Sequence, residues 1–186
     1  MPDYPVDPTI NVTVLIEPPL TMSQGEVPDW EGNSTTVSLE ILPTVAHIED
    51  LIRYTLYAER VAGPLEVTVV VSDDETLRDL NHRFRGIDAP TDVLSFAEPT
   101  ETNGFVLPPD MPRYLGDIVI SYPRVVAQAV RHGHSPREEL DLLIVHGCLH
   151  LVGYEDETEA GTETMWARQE EILKAVRTRE ASLRSA

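Results

Sequence analysis

The sequence predicts an α+β fold, a small mixed β-sheet covered by helices, and three observations carry that expectation. Short β-branched runs alternate in polarity with the period of a strand. Apolar residues recur at helical spacing between those runs. Residues 137–151, through Leu140, Leu143, Ile144, Leu149 and Leu151, are apolar nearly all round, as a central buried helix must be. At 186 residues the chain has the length of one domain with a substantial core, so residues 1–186 are read as a single domain.

Residues 10–16, Ile-Asn-Val-Thr-Val-Leu-Ile, read as the first strand. From residue 17 to 35 the chain carries Pro18, Pro19, Gly25, Pro28 and Gly32 among polar residues, the composition of a loop insertion. Residues 44–60 place Val45, Ile48, Leu51, Ile52 and Leu56 on one helical stripe behind Thr44 as a cap. Residues 65–71 form a strong strand, followed by a helix through Leu77 and Leu80 that Ser72 or Asp73 can cap. Residues 93–96 and 115–121 complete the strand set, with a turn-rich excursion from Pro99 to Pro112 between them. Helical spacing at Val125, Val126, Ala129 and Val130 stops near Gly133 and restarts after Ser135, with Pro136 suited to a first helical position. Met165, Trp166, Ile172, Leu173 and Val176 mark a closing amphipathic helix, and the polar residues 178–186 read as a frayed tail.

Composition narrows the function classes. Hydrophobic residues at 41% and charged residues at 25% are ordinary for a globular protein, and no apolar run is long enough to span a membrane. The N-terminus lacks the basic and apolar regions of a signal peptide, so the cytoplasm is the expected compartment. The lone Cys148 fits a reducing environment and, lying off the faces of its histidine neighbours, reads as a small core residue. A net charge of −18 works against binding phosphate backbones. Arginines nevertheless gather at Arg78, Arg83, Arg85, Arg113, Arg124 and Arg131, which leaves room for a local basic face.

The chemistry is concentrated at His146-Gly147-Cys148-Leu149-His150. Two imidazoles at i and i+4 stand one helical turn apart on one face, the spacing that clamps a zinc ion. Gly153 can turn the chain sharply and return Glu155, Asp156 and Glu157 towards that face, where any of the three can supply a third ligand; Asp156 is favoured. Gly147 stands where His-Glu-x-x-His metalloproteases keep their general base, which weakens a peptidase reading. His47, His82, His132 and His134 are read as outside the site, the last three solvated on or beside surface loops.

His146 to Tyr154, reading His-Gly-Cys-Leu-His-Leu-Val-Gly-Tyr, resembles a signature of the YbeY family of endoribonucleases. A second block from Leu80 to Phe96, together with Leu115-Gly116-Asp117-Ile118 and Glu139-Leu140, resembles the rest of that family's pattern, over roughly residues 64–175. The resemblance implies a zincin-like helix carrying His146 and His150 as ligands of one zinc ion. It also implies Arg85 as the arginine that stabilises a phosphoryl transition state, with metal-activated water as the attacking group. The implied activity is that of a metallo-endoribonuclease specific for single strands. Its implied setting is 3′-end maturation of the small-subunit (16S) ribosomal RNA and late ribosome quality control, with the small subunit and its proteins as partners. The family's third ligand is a histidine, and its position here carries Asp156. A carboxylate there makes the site more anionic and harder, so another divalent metal such as manganese becomes an alternative. Asn81 and Asp92 are expected to fix the surrounding loop and strand. Two other readings stand beside this one: a catalytically weakened or inactive ribosome-associated binding protein, motivated by Asp156 and the acidic surface, and a metal-dependent hydrolase of another substrate, such as a peptidase.

Overall fold

The computed structural model describes residues 9–17, 25–28, 34–37, 44–99, 108 and 111–185. Its elements run β1 (Ile10–Ile16), β2 (Gly25–Pro28), β3 (Ser34–Val37), α1 (Val45–Ala58), β4 (Leu65–Ser72), α2 (Asp74–Arg85), β5 (Val93–Ala97), β6 (Arg113–Ser121), α3 (Tyr122–His132), α4 (Pro136–Leu151) and α5 (Glu159–Arg184). The main sheet has the order β1-β4-β6-β5. β1, β4 and β6 are parallel, and β5 closes the edge antiparallel to β6. The expected α+β class and mixed sheet are therefore present, with all four expected strands.

Period-2 alternation assigns the two faces of the sheet. Val67, Val69, Val71, Ile118 and Ile120 point into the main core, which they share with residues of α1, α3, α4 and α5. Val70, Leu94, Phe96 and Val119 point to the opposite face, where α2 covers them with Leu77 and Leu80. Because α4 is packed within the larger core, its apolar residues are needed on nearly every side, which is why it lacks a polar face of its own.

Two expectations change. Residues 17–35, read as a loop insertion, contain β2 and the start of β3, which pair as an antiparallel hairpin from Gly25↔Val37 to Pro28↔Ser34. Prolines and glycines obscured strands only four residues long. Residues 178–184, read as a frayed tail, continue α5 to Arg184. That turn is held by tertiary partners outside the helix: Glu180 pairs with Arg137, and Arg179 reaches Asp50 at 2.5 Å. Most of the excursion from Pro99 to Pro112, like much of 17–35, lies outside the described residues.

Candidate metal centre

α4 begins at a full capping box. The Ser135 side chain accepts from the Glu138 N–H at 3.2 Å, and the Glu138 carboxylate accepts from the Ser135 N–H at 3.0 Å. Pro136 takes the first turn, where its missing N–H costs nothing. The register set there carries His146 and His150 to one face, with ring centroids 4.7 Å apart and planes nearly perpendicular.

The orientation of these rings carries the chemical information. His150 Nδ1 is 2.9 Å from the Tyr154 carbonyl oxygen, which can only accept, so Nδ1 holds the proton. His146 Nδ1 is anchored in the same way by Gln169 Oε1 at 3.2 Å. With both Nδ1 atoms protonated, both Nε2 atoms of the neutral rings carry lone pairs, and these face each other at 3.2 Å. Two facing lone pairs repel. Asp156 adds negative charge to the same point, its Oδ2 3.8 Å from His146 Nε2 and its Oδ1 3.8 Å from His150 Nε2. The set lies within 4.8 Å and fits a single cation. Burial pushes the His146 pKa down, and the neighbouring His150 pushes the same way; Asp156, the Gln169 bond and Asp92 oppose them. The net shift favours the neutral imidazole, the form that binds metal.

Asp156 reaches this point because the chain reverses at Gly153, whose φ of +98° lies in the region open to glycine. The Tyr154 N–H donates back to the Leu149 carbonyl at 3.0 Å, and Thr162 Oγ1 donates to the Asp156 carbonyl at 2.8 Å. The Tyr154 hydroxyl donates to Glu59 Oε2 at 3.0 Å, and Arg168 Nε donates to Glu59 Oε1 at 2.5 Å. The loop that delivers Asp156 is thus tied to α1 and α5. Of the three carboxylates left open by the sequence, all exposed, Asp156 is the one grouped with the histidines.

Gly147 has a steric reason of its own. A Cβ there would stand 2.6 Å from Ile118 Cγ2 and 3.0 Å from Ser95 Oγ, so any side chain would force Ile118 to shift. Cys148 is fully buried in the main core, and burial pushes its thiol up to about 12, which removes it as a nucleophile.

Arg85 is the last residue of α2, ahead of Gly86 in the left-handed cap conformation, and it is exposed. Its obvious local partner, Asp88, is taken by Arg78 in a two-pronged pair at 2.6 and 2.9 Å. Arg83 pairs with Asp79 and Arg124 with Asp74, so much of the arginine cluster is neutralised. Arg85 has no hydrogen bond or ion pair to any described residue. It is not grouped with the histidines, although the segment between them is well fixed. Asn81 Nδ2 donates to the Ala89 carbonyl at 2.7 Å, and Asp92 accepts from the Val93 N–H at 2.9 Å and from Gln128 Nε2 at 2.9 Å. Those are the supporting roles expected of Asn81 and Asp92.

Gln169, Glu59 and Arg168 were missed by sequence reasoning, because each acts across a long separation that no local pattern encodes. The reading of His134 as solvated is corrected, since it bonds Glu139 of α4, a residue 1% exposed, while His132 is exposed as expected and lies 3.5 Å from the same carboxylate. Ring positions beside a glycine turn suggested solvent, and the tertiary approach of α4 overrides that signal. His47 is occupied elsewhere, 2.7 Å from Asp141 Oδ1.

Comparison with known proteins identifies the family. The family described as "Endoribonuclease YbeY" matches residues 31–177, a longer stretch than the motifs alone suggested. A curated relative of that name from Roseiflexus sp. (strain RS-1) is 52% identical over 148 residues, covering 76% of this chain and 92% of the relative. One from Geobacillus thermodenitrificans is 45% identical over 147 residues, covering 78% and 92%. The solution structure of a Thermotoga maritima protein superposes with a TM-score of 0.52 at 21% identity, covering 92% of each chain, which speaks for the fold alone.

Proposed function

The chain belongs to the endoribonuclease YbeY family, and on that premise we propose that it is a metal-dependent endoribonuclease cutting single-stranded RNA, with ribosomal RNA as substrate. The observation that carries this reading is the convergence of two Nε2 lone pairs and the Asp156 carboxylate on one point. His146, His150 and Asp156 are the proposed ligands. A divalent ion bound there would supply Lewis acidity towards a phosphoryl oxygen and towards a water molecule.

This chain's own residues do the rest. Gln169 and the Tyr154 carbonyl hold the imidazoles in the ligating tautomer. Arg85, without an acid partner among the described residues, is positioned to fork onto phosphate oxygens and to neutralise charge that grows in the transition state. Asp156 in place of a third imidazole makes the centre more anionic, which weakens its pull on a bound water and favours harder ions such as manganese. Zinc remains the first candidate. The peptidase alternative lacks its base, since Gly147 has no side chain at that position.

The setting follows the family: a single domain working in the cytoplasm on the 3′ end of small-subunit ribosomal RNA and in late ribosome quality control, beside the small subunit and its proteins. No described helix is long and apolar enough to cross a membrane. The test is cleavage of end-labelled single-stranded and duplex RNA by protein that has been stripped with chelator and reloaded with zinc or manganese. Cleavage restricted to the single strand, lost on chelation and absent in His150→Ala, is the expected result. No cleavage by metal-loaded parent protein would overturn it in favour of a ribosome-binding protein that has lost catalysis.

A further inference from the structure

Along α5, Thr162, Trp166 and Gln169 stand at i, i+4 and i+7, on one face of the helix. The two outer members touch parts of the metal centre. Thr162 Oγ1 donates to the Asp156 carbonyl at 2.8 Å, and Gln169 Oε1 lies 3.2 Å from His146 Nδ1. Trp166 lies between them on that face, which sets its indole at the rim of the site that His146, His150 and Asp156 form. Its neighbour Met165 is fully buried, whereas Trp166 itself is 62% exposed.

Single apolar residues on a surface are ordinary and need no explanation by themselves. Placement and charge set this one apart. The stripe it belongs to is tied at one end to the loop that delivers Asp156 and at the other to a ligating ring. Around that stripe α5 offers acids and no uncommitted cation: Glu159, Glu163 and Glu170 are exposed, and Arg168 is engaged by Glu59 and Glu171. These carboxylates repel a phosphate, while the face of an uncharged base is indifferent to them. The part of a nucleic acid that suits this rim is therefore a base, laid flat on the indole.

We propose that Trp166 is the stacking platform for one base of the single-stranded RNA, beside the phosphate that the metal centre addresses. The proposal rests on the reading of the chain as an endoribonuclease and names the part of the substrate that the rim takes up. Stacking on a protein ring needs a base whose face is open, and in a duplex that face is covered by the next base pair, so exposing it costs unstacking. The platform thus favours single strands, with little sequence preference because every base has a π-face. Met165, Ile172 and Leu173 hold α5 in the core, so the helix that carries the indole is fixed before substrate arrives.

The test follows indole fluorescence in the full, metal-loaded chain carrying Trp30→Phe, since Trp30 is the other tryptophan. The titrants are a 2′-O-methyl single strand, checked by gel to be intact afterwards, an abasic strand of the same length, and the duplex. Quenching by the single strand alone is expected. In anisotropy titrations Trp166→Ala should weaken binding of the single strand by about 5–100-fold, and Trp166→Phe by less, with metal content unchanged in both. The abasic strand should bind the parent and Trp166→Ala alike. An unchanged single-strand affinity in Trp166→Ala, a loss that the abasic strand shares equally, or no strand binding by the parent would overturn the proposal. The nuclease reading is judged separately by cleavage. Base-dependent quenching without cleavage would sink that reading and leave the platform standing, while cleavage with an unchanged KM in Trp166→Ala would sink the platform alone.

Discussion

The two ends of α4 each gather two imidazoles and one carboxylate, with opposite burial. At the C-terminal end the imidazoles are sheltered and the carboxylate is the exposed partner, with Asp156 at 39%. At the N-terminal end the carboxylate is sealed in and His132 faces solvent. The difference matters for chemistry. At the first end each ring has its Nδ1 held by a named partner, so its Nε2 is aimed before any ion arrives. At the second end the rings meet a fixed carboxylate directly, an arrangement suited to clamping two helices.

The comparison breaks most severely if the C-terminal centre proves dispensable. His150→Ala should lower RNA cleavage by about 10³-fold or more, since the Lewis acid is worth several kcal/mol of charge stabilisation, while His132→Ala should leave cleavage near the parent rate. Equal losses in gel-based cleavage assays would erase the distinction. Arg85→Ala should cost about 10²–10³-fold in kcat with metal content unchanged, and Arg85→Lys should restore only part of it. A change in metal content would instead make Arg85 a structural residue. Gln169→Leu should weaken metal binding at the C-terminal centre by about 10–100-fold, read by competition with a chromogenic chelator. Gly147→Ala should destabilise the fold by about 1–3 kcal/mol in denaturant titrations, because the new methyl meets Ile118.

The smallest effect is on pH. Burial lowers the His146 pKa from its ordinary 6.5, so in metal-free protein the folded state binds fewer protons than the unfolded state just below that value. The stabilising contribution of the neutral ring is therefore complete above 6.5 and declines as the pH falls through the lowered value. In thermal melts of metal-free protein, His146→Gln should be less sensitive to acid over that range than the parent.

Much of this molecule was legible in local pattern. The four strands of the main sheet, the capped helix at Thr44 and the start of α4 at Pro136 followed from alternation, spacing and caps, because each is decided within a few residues. The pair His146 and His150 was legible because one helical turn joins them. Gly153 turned the chain back and left Asp156 favoured among three carboxylates, and only its grouping with the histidines separates it from Glu155 and Glu157. What stayed hidden depends on pairing over distance: the short hairpin of β2 and β3, the last turn of α5 held by Asp50 and Arg137, and the long reach of Gln169 and Glu59 to the metal loop. His134 shows the same limit from the other side, since its surroundings in sequence are polar and its partner Glu139 is buried by tertiary packing.

The most direct test of the central claim, that His146, His150 and Asp156 hold one catalytic ion, is metal content by mass spectrometry of the purified parent beside Asp156→Ala and His150→Ala prepared identically. The account predicts that each variant contains one equivalent less than the parent. Equal metal in the parent and in both variants would contradict it.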